Sequence, residues 1–91
     1  MKVVVDSNMA IYGVFQPPIE IELKGSKATL KELLEELSDL CPSVEFISSD
    51  EIGNDIQTVL VNEKEHYYLN TNLNEGDKIM IMVEMAPLGG G

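Results

Sequence analysis

The 91-residue sequence predicts an α+β fold, a mixed sheet of four to five strands packed on one main helix. Three observations carry that prediction. Ile19-Glu20-Ile21-Glu22-Leu23-Lys24 alternates apolar and polar side chains, the period of a half-buried strand. Leu30, Leu33, Leu34, Leu37 and Cys41 recur at the spacing of a single helical stripe. After that stripe, Thr58-Val59-Leu60-Val61 and Lys78 to Glu84 return to strand character, so the only long helix is left to cover one face of the sheet.

Lys2 to Asp6, short and β-branched, reads as the first strand and Ile19 to Lys24 as the second. Ser7 to Pro18 between them carries Gly13 and Pro17-Pro18 without a regular period; its Tyr12 and Phe15 are expected to cover an edge or end of the sheet. The helix is expected from Thr29, because Thr29-Leu30-Lys31-Glu32 matches a capping box in which the hydroxyl accepts the Glu32 amide and the carboxylate reaches back. Lys31, Glu32, Glu35, Glu36 and Asp39 then face water, and Pro42 ends the helix. Ser43 to Gln57 is polar with scattered Phe46, Ile47, Ile52 and Ile56, which predicts a loop with a short helical turn.

Thr58 to Val61 follows as a strand, Asn62 to Glu65 as a turn, and His66 to Leu69 as a brief extended piece. Asn74-Glu75-Gly76-Asp77 is a turn in which Gly76 takes positive φ, and Lys78 to Glu84 is the last strand. Pro87 closes the globular part, so the expected organisation is one domain over 1–87 and a flexible glycine-rich tail over 88–91.

Sixteen acidic side chains stand against six lysines and no arginine, a net charge of -10 that points away from bare nucleic acid and toward an electropositive protein partner. Cys41 is the only cysteine and His66 the only histidine, so neither an internal disulfide nor the usual zinc or iron–sulfur ligand sets can be assembled. Asp50, Glu51 and Asp55 match no calcium loop and read as a solvated acidic turn. No apolar run approaches the roughly 20 residues needed to span a bilayer. Met1-Lys2 leads through three valines straight to Asp6, unlike a secretory leader, and the expected location is cytoplasmic. No metal, no bound cofactor, no nucleic acid, no membrane and no catalytic constellation are expected.

Four pieces in this order resemble the ubiquitin-like β-grasp family: Lys24 to Leu37 (KGSKATLKELLEEL), Val59 to Asn62 (VLVN), Leu73 to Ile79 (LNEGDKI) and the terminal Gly-Gly. The resemblance is closest to its sulfur-carrier branch, which includes the molybdopterin-synthase small subunit and the thiamine sulfur carrier. Ser7 to Pro18 is unlike the usual short turn of that family, and Leu88-Gly89-Gly90-Gly91 ends on one glycine more than the usual pair. The resemblance implies a cosubstrate rather than an enzyme. An ATP-dependent activating enzyme would make an acyl-adenylate at the Gly91 carboxyl group, using its own ATP, and a sulfur nucleophile would convert it to a thiocarboxylate. That sulfur would pass to a biosynthetic acceptor, of molybdopterin or thiamine type, with a synthase large subunit or sulfur-acceptor enzyme as second partner. In the modifier branch a lysine amine takes the acyl group instead. A third reading is a β-grasp interaction module without acyl chemistry.

Glycine suits a tail that threads a narrow channel, since each missing Cβ removes a clash. Ordering Leu88, Gly89, Gly90 and Gly91 would cost roughly 4–8 kcal/mol of backbone entropy at about 1–2 kcal/mol per residue. The globular body is therefore expected to dock as well. If Ile79, Ile81 and Val83 point inward, Met80, Met82 and Glu84 lie on the opposite face of the last strand and form the expected partner-binding patch.

Overall fold

The computed structural model of the chain describes residues 1–25 and 27–84. In chain order the elements are β1 (Lys2–Ser7), β2 (Ile19–Glu22), β3 (Ala28–Thr29), α1 (Leu30–Leu40), β4 (Ile47–Ser48), β5 (Glu51–Ile52), β6 (Ile56–Val61), β7 (Lys64–Glu65), β8 (Asn72–Leu73) and β9 (Lys78–Val83). Five strands make one sheet in the order β2-β1-β9-β6-β7. β1 and β9 run parallel at its centre, while the β1–β2, β6–β9 and β6–β7 pairs are antiparallel. With α1 over one face, this is the mixed five-stranded β-grasp arrangement expected.

Register explains the core. Val5 lies opposite Ile79, Val61 opposite Ile79 and Val59 opposite Ile81, so these side chains share one face. That face closes on Leu30, Leu33, Leu34 and Leu37 of α1, all fully buried, and Cys41 continues the stripe. Desolvation there raises the Cys41 thiol pKa above its ordinary value, which keeps it protonated and unreactive.

Several expectations are corrected. Thr29 is the N-cap residue of α1 but makes no side-chain cap hydrogen bond. It sits in β3, paired with Asn72 of β8, and the first helical amides donate to backbone instead: Leu30 N–H to Thr71 O at 2.9 Å and Lys31 N–H to Leu69 O at 3.0 Å. Two of the orphan donors at the helix start are thus satisfied by a neighbouring segment, while the Glu32 amide, the one the box would have capped, receives no bond from Thr29. The stretch after Pro42 forms a hairpin, β4 against β5, rather than a helical turn. Gly53 makes that packing possible: a Cβ there would stand 2.1 Å from the Glu45 carbonyl oxygen. Phe15 enters the core at 1% exposure, whereas Tyr12 projects into solvent at 92% and covers nothing.

The two turns flanking β6 and β9 are stitched together. Asn62 and Glu63 both take positive φ between β6 and β7, as a two-residue hairpin requires, and Gly76 does so at +81° before β9. Asp77, the buried carboxylate of this corner, accepts Asn62 Nδ2 at 2.9 Å and the Asn74 amide at 2.7 Å, and Asn62 Oδ1 accepts the Lys78 amide at 2.9 Å.

Candidate functional site

Gly91, the expected acyl-transfer position, lies outside the described residues, as do Leu88, Gly89, Gly90 and the domain boundary at Pro87. What the structure does define is the point from which the chain sets out toward them. Val83, at the end of β9, has both backbone groups held by one side chain: Asn8 Nδ2 donates to Val83 O at 2.9 Å, and Val83 N–H donates to Asn8 Oδ1 at 2.8 Å. From the other side Glu84 N–H donates to Asp55 O at 2.7 Å. An asparagine amide carries the donor and acceptor of a peptide group, so Asn8 continues the β1–β9 ladder after β1 has ended. Sequence reading missed it; the only local sign was an amide residue immediately beyond the strand.

Met80 and Met82 are half-buried, with Ile79, Ile81 and Val83 buried on the opposite side of β9. Met80 lies between Asp6 on β1 and Leu60 on β6, and Met82 lies opposite Thr58. Alternation places Val4, Leu60, Met80 and Met82 together on the sheet face turned away from α1, all half-buried. A groove of about 410 Å³ opens there, floored by Val4, Leu60 and Met80 and rimmed by Asp6, Glu63 and Lys78. Glu84 is exposed just past the end of β9. This face can offer an adaptable apolar contact with carboxylates at its margin.

Other chemistry is sparse. Among the described residues no group of three or more His, Cys, Asp or Glu side chains comes together to hold a metal ion. No described helix is long and apolar enough to cross a membrane. Tyr67 donates a hydrogen bond to the Glu65 carboxylate. That bond, then desolvation and the Glu65 charge, raise its phenol pKa above the ordinary value.

No protein-family model matches the sequence, and no curated protein matches it. Solved structures do share the fold. The chain is similar to the crystal structure of SAMP1 from Haloferax volcanii, with a TM-score of 0.67 and 20% identity over 100% of both chains. It is also similar to the solution structure of the Haloferax volcanii HVO 2177 protein, with a TM-score of 0.68 and 21% identity over 100% of this chain and 87% of that one. A second crystal structure, of H. volcanii small archaeal modifier protein 1, aligns at a TM-score of 0.68 and 18% identity, covering 92% of this chain and 98% of that one.

Proposed function

We propose that the chain is a sulfur carrier activated at its C-terminus: a cosubstrate whose Gly91 carboxylate an ATP-dependent enzyme converts to an acyl-adenylate, with release of pyrophosphate. A sulfur nucleophile then attacks the carbonyl carbon, AMP leaves, and a C-terminal thiocarboxylate remains for donation to a biosynthetic acceptor such as a molybdopterin or thiamine precursor. The observation that carries the reading is the end of β9. The strand is central in the sheet, Asn8 and Asp55 hold its last residues, and the sequence then continues to Leu88-Gly89-Gly90-Gly91. A rigid departure point followed by a slender end suits delivery of a carboxylate into a narrow site.

The body's contribution is the open sheet face, with Met80 and Met82 as partner-docking residues and Glu84 beside them. Docking there offsets the entropy of ordering the tail. A second reading, a modifier joined to lysine amines through the same carboxyl group, is favoured by likeness to a structure described as a small archaeal modifier protein.

One experiment separates them. The full chain is incubated with ATP and a cognate activating enzyme, with and without a sulfur donor, and weighed intact. A carrier gains the mass difference between sulfur and oxygen; a modifier appears as a branched conjugate. An unchanged mass under all conditions overturns both readings and leaves a binding module. Deletion of Gly89, Gly90 and Gly91 together is expected to abolish either product, and Met80→Asp with Met82→Asp to raise the KM for the chain while its fold is retained.

A further inference from the structure

A second surface has no part in that chemistry. β7 is only two residues long and pairs with Leu60 and Val61; the next bond to the outer edge of β6 is His66 N–H to Val59 O at 3.0 Å. There the chain turns off, and among the described residues no strand pairs with the first half of β6 on that side. The β6–β9 register shifts between Ile56 and Thr58, which makes Gln57 the extra residue of a bulge and leaves its peptide group outside the ladder. This edge floors a groove of about 610 Å³.

The groove is lined by Asp50 and Glu51 from the β4–β5 hairpin and by Tyr67 and Tyr68. The tyrosines are 54% and 75% exposed, the former held by its bond to Glu65. Two of the lining residues are carboxylates and none is a lysine; Lys31 lines only the adjoining hollow, which shares Asp50 and Tyr68.

We infer that the groove along the outer edge of β6 docks an extended peptide segment of a partner protein, one that carries lysine or arginine side chains. The extended form follows from the floor, because an unpaired strand edge satisfies backbone groups that only another extended chain presents in register. The basic character follows from the lining, because carboxylates and aromatic rings both attract a cation. A second copy of this chain is disfavoured by its own net charge of -10. The site is independent of the C-terminal chemistry and adds a second contact with a different partner surface.

The test uses the full isotope-labelled chain titrated with a hexapeptide of alternating lysine and valine, and separately with its glutamate–valine counterpart. The lysine peptide is expected to shift the resonances of residues 57–59, Tyr67 and Tyr68, to slow amide exchange at residues 57–59, and to bind more weakly as salt rises. Asp50→Lys combined with Glu51→Lys should weaken it about tenfold or more. Tyr68→Ala, at an exposed position, should weaken it severalfold while the remaining spectrum stays dispersed. Deletion of Gly91 should leave this binding unchanged, which separates the site from the tail. Equal binding of the two peptides, shifts confined to Val4, Leu60, Met80 and Met82, or no shift at millimolar peptide overturns the inference.

Discussion

At the residue scale, Asn8 shows how one side chain can finish a strand that has run out. Its amide makes both bonds that a continuing β1 backbone would otherwise make with Val83. Asn8→Ala leaves a part-buried N–H and C=O without partners, a loss expected to cost about 1–3 kcal/mol. The measurements are the urea midpoint and amide exchange at Val83, which should quicken more than at Ile79 in the same strand. With the proposed activating enzyme, the variant should show a raised KM for the chain and a nearly unchanged kcat, because departure geometry is lost and the proposed reacting carboxyl group is not. Asn8 and Val83 are 75 positions apart in sequence, a separation at which no periodicity or motif links two residues. Gly76 was legible for the opposite reason, since Asn74-Glu75-Gly76-Asp77 is a local pattern whose φ requirement is local too.

At the element scale, α1 holds the fold together through four leucines on one stripe. Leu34→Ala removes a fully buried side chain from the middle of that stripe and is expected to lower stability by about 2–5 kcal/mol, read from thermal or urea unfolding. Glu35→Ala, on the exposed side, should change it little. The helix and the long strands could be read in advance because burial on one side imposes a period on the side chains. The two-residue strands β3, β4, β5, β7 and β8 are too short to carry one. The capping-box expectation failed at the same place: Thr29 is held in β3 against Asn72, and the Leu30 and Lys31 amides donate to the carbonyls of Thr71 and Leu69. Met80 and Met82 were placed on the correct side of β9 by alternation alone, but their half-buried state depends on neighbours in β1 and β6 that only the register reveals.

At the scale of the whole molecule, charge is the dominant fact. Sixteen acidic side chains stand against six lysines, and among the described residues the ion pair formed is that of the Met1 amine with Glu22 at 3.1 Å. Self-repulsion therefore outweighs attractive pairing, and added salt, with a Debye length of about 8 Å at 0.15 M, should raise the melting temperature. The same salt should slow association with the proposed activating enzyme, if its docking surface is electropositive, while leaving the dissociation rate nearly constant. Stopped-flow binding across an ionic-strength series checks the pair of effects; a melting temperature that falls with salt contradicts the account.

The parallel neighbours at the middle of the sheet, β1 and β9, also govern how the molecule comes into being. β1 must wait for β9, since only Lys78–Val83 supplies the sheet with its central strand. Such long-range closure slows folding and makes it all-or-none. A nascent chain interrupted before that point offers partners no finished body, so synthesis itself checks that the whole sheet is present before the protein can be used.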